Sequence, residues 1–326
     1  MTKLGPYPIP SYQVGDCREL LAKLPDECID CVVSSPPYWG LRSYLPEGDP
    51  HKHIELGTER TYPQYVEKMR AVFEQVRRVL KAEGTLWLNL GDCYATGAGA
   101  VGECPGGGEQ GARWKGNRAT RTGANSEKHE PALAQMGPLT QPNRMPQPGL
   151  KPKDLVGIPW RVAFALQADG WRLRSDIIWS KPNPMPESVQ SRPTKAHEYL
   201  FLFSKAESYY YDSESIAEQA VRAGSIPGGG GGHEAVGAKR NRRSVWTIPT
   251  EPTSEAHFAT MPTKLVQPCI LAGCPAGGVV LDPFGGSGTV GRVAEDHGRL
   301  WLLFDLSPAY AEIAKRRTAQ TSLLRG

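Results

Sequence analysis

The sequence lacks a long apolar run. No stretch of its 326 residues is long or apolar enough to span a bilayer. The opening Met1-Thr2-Lys3-Leu4-Gly5-Pro6 has no secretory apolar core. It also lacks a charge excess. The 38 Lys and Arg against 34 Asp and Glu leave a formal +4, which permits nucleic-acid binding without arguing for it, so local clustering must decide. A disulfide framework is absent as well: the cysteines number seven, are scattered, and fit a reducing cytoplasm. Cys28 and Cys31 form a lone CxxC with no second pair at zinc-like spacing, so no metal site is expected. No internal repeat is evident, and the length allows one large domain or two ordinary ones.

Gly (36) and Pro (29) are abundant instead, and they gather in two segments poor in apolar periodicity. Between these, alternating strand and helix patterns run along the chain. Tyr12 to Asp16 reads as a short strand ending at an acid, with Asp16 also placed to cap one or two helical turns over Cys17 to Leu24. Ile29 to Val33 reads as a buried strand. Gly40 to Thr61 is polar and turn-rich, a loop. Tyr65, Met69, Val72, Phe73, Val76, Val79 and Leu80 recur at helical spacing, which predicts a helix over 62–82 ended by Gly84, then a strand over 85–90. Asp154 is placed to cap a helix reaching Asp169 and stopped by Gly170. Strands follow over 174–181 and 197–204, with 207–212 expected to extend that hairpin. A helix over 261–273, a strand over 277–282, a helix over 290–297, a strand over 300–305 and a helix over 309–318 complete the reading.

Two places carry chemistry. In the first, the strand ending Val32-Val33-Ser34 runs into Ser35-Pro36-Pro37-Tyr38-Trp39. Two prolines stop strand and helix alike, since neither has an N–H and each fixes φ. Ser35, a fixed carbonyl and an aromatic ring are thereby presented at the carboxyl edge of a sheet, where open α/β sheets bind ligands. In the second, a strand enters Asp282-Pro283-Phe284-Gly285-Gly286-Ser287-Gly288-Thr289, a helix follows, and the next strand ends at Asp305. Glycines let a ligand approach the backbone closely, and Asp305 stands where a ribose hydroxyl would sit. A Walker loop is excluded, because no Lys precedes Thr289. A dinucleotide fingerprint fits poorly after Asp-Pro-Phe, whereas S-adenosylmethionine, which has no diphosphate, fits.

With both signatures in this order, the chain resembles the permuted beta class of S-adenosylmethionine-dependent DNA amino-methyltransferases, the cytosine-N4/adenine-N6 family of SPPY type. The resemblance covers most of the chain, including Asp176 to Pro186 with His197-Glu198. It implies a Rossmann-like α/β fold with a central, mostly parallel twisted sheet, a circularly permuted motif order and an irregular target-recognition region. Residues 1–94 and 153–212 would form the catalytic half and 257–326 the cofactor half. Residues 95–152 would be a Gly/Pro-rich insertion, whose Arg113, Lys115, Arg118 and Arg121 either touch phosphates or lie on a solvated loop, and 213–256 the target-recognition region.

The same resemblance implies the site residues. Ser35, Pro36, Pro37 and Tyr38 would be catalytic. Ser34, Asp282, Pro283, Phe284, Gly285, Gly286, Ser287, Gly288, Thr289, Asp305 and Leu306 would hold the cofactor, with His257, Phe258, Thr260 and Pro262 at its amino-acid tail. Asp16 would contact the adenine or serve only as a cap. Lys181, Trp179 and Lys264 are further site candidates. The basic run Lys239, Arg240, Arg242, Arg243 beside Trp246 is the densest in the chain and is the expected DNA contact, with a solvated face as its alternative. Ser35 points to cytosine-N4, since adenine-modifying members often carry Asp or Asn there. No cysteine has the setting of a carbon-5 nucleophile, because Cys31 lies inside a strand. The expected partner is double-stranded DNA, with a cognate restriction endonuclease, in the cytoplasm of a bacterium or phage-infected cell, as monomer or homodimer. Alternatives are an adenine-N6 enzyme of the same fold, a non-catalytic methyltransferase-like DNA-binding protein, an RNA or protein methyltransferase, and a nicotinamide oxidoreductase.

Overall fold

The computed structural model describes residues 2–41, 43–46, 48–95, 142–144, 146–219, 239–251 and 261–323. Its centre is an eight-stranded sheet. Three strands open the chain: β1 (Thr2–Leu4), β2 (Tyr7–Ile9) and β3 (Ser11–Val14). β4 (Ile29–Ser34), β5 (Leu80–Leu90), β6 (Arg172–Ser180) and β7 (His197–Ser204) follow. Then come β8 (Glu218–Gln219), β9 (Lys239–Arg240), β10 (Val245–Thr247), β11 (Val279–Asp282) and β12 (Leu300–Asp305). The central order is β10-β6-β7-β5-β4-β11-β12-β3, while β1-β2 and β8-β9 form two-stranded ribbons. β7 is antiparallel to both neighbours and every other pairing in the large sheet is parallel. A mostly parallel sheet must be covered on both faces, because its strands are apolar on both.

The alternation of side chains builds those two faces. Val32, Leu86, Leu88, Leu281, Leu302 and Phe304 face one way, into a core closed by α1 (Cys17–Ala22), α2 (Tyr62–Val79) and α3 (Ile158–Ala168). Cys31, Val33, Trp87, Val280 and Leu303 face the other, under α4 (Thr263–Gly273) and α5 (Thr289–Asp296). The last helix, α6 (Pro308–Leu323), packs on α5 and β3. α2 shows the logic: Tyr65, Met69, Val72, Phe73, Val76 and Val79 are its buried stripe, worth on the order of 10 kcal/mol in gross transfer terms. Among the described residues no helix is long and apolar enough to cross a membrane.

Several boundaries differ from the sequence expectation. α2 stops at Val79, because Leu80 turns extended and pairs with Ile29 of β4. Leu80 suits the helical stripe, but sheet pairing and complete burial take it. Residues 207–212 do not extend the β7 hairpin. Tyr211 stacks on Trp87 and the Asp212 N–H donates to the Ala272 carbonyl, so this stretch covers the sheet. Val245–Thr247, expected in the recognition region, is an edge strand of the central sheet, with Trp246 in register with Trp179.

The cap of α3 is also reassigned. Its N-cap is Gly157, in the left-handed region at φ 76°, while Asp154 accepts the Lys151 N–H instead. Asp92, at the end of β5, reaches across to supply the missing acceptor. Its Oδ1 takes the N–H groups of Gly157 (2.9 Å), Ile158 (3.0 Å) and Cys93 (2.9 Å). A single carboxylate therefore ties a strand end to a helix start. Asp92→Ala should cost about 1–3 kcal/mol by orphaning those donors. The measurement is the urea midpoint at unchanged m-value; an unshifted midpoint would refute the role.

Candidate functional site

The carboxyl ends of β3, β4, β11 and β12, with the loop after β6, surround a cavity of about 640 Å³. On one wall β4 ends at Ser34 and the Pro36-Pro37 turn begins. The turn is clamped from outside. Tyr65 of α2 donates to the Pro37 carbonyl (2.9 Å), and Trp39 Nε1 donates to the Glu59 carbonyl (2.9 Å). Gly57, at φ +92°, lies so near that an added Cβ would be 3.1 Å from the Pro37 ring.

Inside this turn a hydrogen-bond chain runs inward. Ser35 Oγ donates to the Tyr38 hydroxyl (3.2 Å), whose own proton faces Glu198 Oε2 (2.7 Å) and Asn89 Oδ1 (3.0 Å). The charged carboxylate is the shorter and stronger acceptor. Asn89 Nδ2 donates to Glu198 Oε2 (3.2 Å) and to the Tyr199 carbonyl (3.1 Å). Lys181 Nζ pairs with the other Glu198 oxygen and lies 4.2 Å from the centre of the Trp179 ring. Burial, then the nearby Glu198 charge, holds the Tyr38 phenol well above its ordinary pKa, so it stays protonated. The ring is backed by Gly91, where an added Cβ would sit 2.5 Å from a ring carbon.

The opposite wall is the Gly-rich turn. Asp282 ends β11, and its Oδ1 accepts from Ser34 Oγ (2.6 Å) and the Phe284 N–H (3.0 Å). Asp305 ends β12, accepting the Gly286 N–H (3.0 Å) and the Ser307 N–H (2.8 Å). Tyr12 donates to the Gly286 carbonyl (2.9 Å). Gly286 is at φ +46°, and Gly285 lies so close to β12 that a Cβ would be 2.8 Å from that of Leu303. Burial pushes Asp282 up to about 7 and Asp305 up to about 6. These hydrogen-bond partners are neutral hydroxyl and amide groups. Thr289, first residue of α5, lines the cavity, and its buried Oγ1 has no partner among the described residues. Two buried acids beside an unpaired hydroxyl at a helix N-terminus suit a ligand with both cationic and anionic groups.

A family profile described as DNA methylase, of the N6/N4 class, matches residues 29–316. The chain belongs to this family. It is 43% identical over 303 residues to the type II methyltransferase M.Cfr9I of Citrobacter freundii, covering 93% of this chain and 85% of that one. With M.SmaI of Serratia marcescens the identity is 44%, covering 93% and 89%. Among solved structures, the PvuII DNA methyltransferase (cytosine-N4-specific) superposes with a TM-score of 0.60 at 20% identity, covering 94% of this chain and 85% of that one. TTHA0409 of Thermus thermophilus, complexed with S-adenosyl-L-methionine, gives 0.55 at 21%, covering 95% and 93%. At that identity the structural likeness is one of fold.

In this methylase the two sequence signatures meet in one cavity. Ser35, Pro36, Pro37 and Tyr38 line it together with Asp16, Asp282, Pro283, Phe284, Gly285, Gly286, Ser287, Thr289, Asp305 and Leu306. Ser34 stands behind the wall, fully buried, and orients Asp282. Gly288 is a packing position, where a Cβ would be 2.7 Å from Ala314 on α6. Asp16 caps α1 through the Arg18 N–H (2.9 Å) and pairs with the Arg18 guanidinium. Pro262 is the N-cap of α4, whose Thr263 N–H is taken by Glu251 (3.0 Å). Lys264 is exposed on α4. His257, Phe258 and Thr260 lie outside the described residues, as do Arg113, Lys115, Arg118 and Arg121.

The basic run is less free than its sequence implied. Arg240 and Arg243 both pair with Glu218 (2.9 and 2.6 Å), and Arg242 lies over the Trp246 ring at 4.5 Å. Trp246 is in the core, not on a surface that meets DNA. It is 4% exposed, its Nε1 donates to the Arg243 carbonyl, and it packs against Trp87. Sequence reasoning misses Asn89 and Glu198 as site residues. Asn89, a polar residue in the apolar strand Leu86–Leu90, is the available signal.

The buried acids set a pH dependence. Both stand above the ordinary Asp value of 3.8, so the folded chain holds these protons more tightly than the unfolded one. Their contribution to stability is full below about pH 4 and is lost as pH rises to about 7. In a Tm–pH series of the free protein, Asp282→Asn should gain on wild type progressively across that window. A Tm difference independent of pH would refute the assignment.

Proposed function

We propose that the chain methylates the exocyclic amino group of a base flipped out of double-stranded DNA, at a specific site, and that this base is cytosine, modified at N4. The carrying observation is the placement of the Ser35 hydroxyl, which shares one cavity with the buried acids of the Gly-rich turn and is linked onward to Tyr38 and Glu198. The methyl donor is S-adenosylmethionine. It supplies a methyl group made electrophilic by the sulfonium. When bound it would be held by Asp282, Asp305, Thr289 and the Gly285–Ser287 backbone, with Asp16 and Phe284 lining the same cavity.

A base amine is a poor nucleophile, since its lone pair is delocalised into the ring. Ser35 Oγ and the Pro36 carbonyl accept hydrogen bonds from its two N–H groups and favour a pyramidal nitrogen. The clamped Pro-Pro turn fixes both acceptors in advance, so orientation and electrostatics carry the rate. Ser35 keeps its lone pairs for the amine because its own proton is given to Tyr38. A proton released by the amine to Ser35 has a path away from the base as a relay: Tyr38 takes the Ser35 proton as it hands its own to Glu198, and so ends protonated. A target base lies inside the duplex and must leave it to reach this cavity. The Tyr38 ring, backed by Gly91, is the platform on which it stacks.

Residues 1–94 and 153–212 present the base and 257–326 hold the donor. Residues 95–152 and the parts of 213–256 outside the edge strand β10 meet DNA, with Lys239 and Arg242 as phosphate contacts. A Ser at position 35, where adenine-modifying relatives often carry Asp or Asn, supports cytosine. A restriction endonuclease of matching specificity is the proposed companion. Digestion of modified DNA to nucleosides should yield N4-methylcytosine; N6-methyladenine would overturn the base assignment. Ser35→Ala should lower kcat about 10²-fold or more with the cofactor Kd unchanged within about twofold. Wild-type turnover in that variant would sink the mechanism.

A further inference from the structure

β6 ends at Ser180 and the chain enters Pro182-Asn183-Pro184-Met185-Pro186. Met185 is 86% exposed, the most exposed large hydrophobic side chain among the described residues. Exposed apolar residues are common, but this one is not scattered on an outer surface. Met185 lines the cavity that holds Ser35, together with Asn183, Pro184 and Pro186.

The segment is built to hold a side chain out in solvent. Three prolines fix φ at alternate positions and leave little entropy to lose on contact. Its base is pinned at several points. The Lys181 N–H donates to the Ala196 carbonyl (2.8 Å), and the Ile248 N–H donates to the Ser180 carbonyl (3.0 Å). Asn183 Oδ1 accepts the Thr250 N–H (3.0 Å). On the far side, Arg192 pairs with Glu187 (2.7 Å). That pair neutralises Glu187, two residues from Met185 in the chain. The result is a proline-stiffened point bearing a long, polarisable apolar side chain that is exposed yet lines the cavity.

Taking a base out of a duplex leaves a gap in the stack. Apolar side chains such as Met and Pro enter base steps and hold them apart, and a thioether is well suited to contact with aromatic rings. We infer that Met185 is the wedge that enters the DNA stack beside the target and holds it open while the flipped base occupies the cavity. This rests on the proposed action on a flipped base. Met185 touches neither the amine nor the buried acids; it acts on the opening of the duplex.

The test uses the full-length protein and a duplex containing its own methylation site, mapped by single-molecule sequencing of DNA from a host expressing the chain. One duplex pairs the target base normally. A second places an abasic residue opposite the target, so that little opening is required. On the paired duplex Met185→Ala should lose at least about tenfold in kcat/KM. On the abasic-partner duplex the loss should be under about twofold, with cofactor Kd unchanged and Met185→Leu retaining most activity. A 2-aminopurine at the target position should brighten on binding wild type and much less on binding Met185→Ala. Equal losses on both duplexes, no loss on either, or a weakened cofactor Kd would each overturn the wedge while leaving the methylation reading in place. A wild-type protein that transfers no methyl to any DNA would overturn that reading and the wedge with it.

Discussion

One hydrogen bond joins the two halves of the site: Ser34 Oγ to Asp282 Oδ1, 2.6 Å long and spanning 248 residues of chain. It lies at the top of the parallel pairing of β4 with β11, where Cys31 opposes Val280 and Val32 opposes Leu281. That register decides everything above it. A slip of one residue would turn Ser34 away from Asp282 and carry the buried alternation of β4 to the wrong faces. It would also displace the Pro-Pro turn from the Gly-rich turn. The cavity is therefore a property of strand pairing, and the loops that line it inherit their positions from the sheet.

The two walls differ in charge design. Around Ser35 each charge is matched: Glu198 has Lys181, Tyr38 and Asn89 as partners. Such a network is rigid because every member is satisfied, and it holds a neutral acceptor in place. Around the Gly-rich turn two acids are buried against hydroxyl and amide groups alone. The first wall is complete without a ligand. The second is left with a desolvation cost that a cationic group would offset.

Much of this was legible in the sequence, and the reason is local. Strands 29–34 and 300–305, the stripe of α2 and the strand-turn-helix at 279–296 are written in short-range periodicity and turn chemistry. The Ser-Pro-Pro-Tyr and Gly-rich turns could be read because proline and glycine constrain the backbone at the residues where they stand. What escaped depends on neighbours far along the chain. Asn89 and Glu198 meet because β5 and β7 pair. Leu80 leaves its helix because Ile29 awaits it. Gly157 is capped by Asp92, 65 residues earlier. Trp246 looked like a nucleic-acid contact from its basic neighbours, yet parallel pairing with β6 draws its ring into the core.

The long span between β4 and β11 also governs how the molecule is born. During synthesis β5 can cover one edge of β4 first, since only a loop and the 18-residue α2 stand between them in the chain. The other edge must wait for β11. At about 5–20 residues per second, 248 residues take about 12–50 s to emerge. For that interval the nascent chain carries an open sheet edge that later supports the cavity, and its topology makes that cavity one of the last parts to assemble. Protection of that edge on the ribosome is thus a requirement of the same strand order that makes the enzyme.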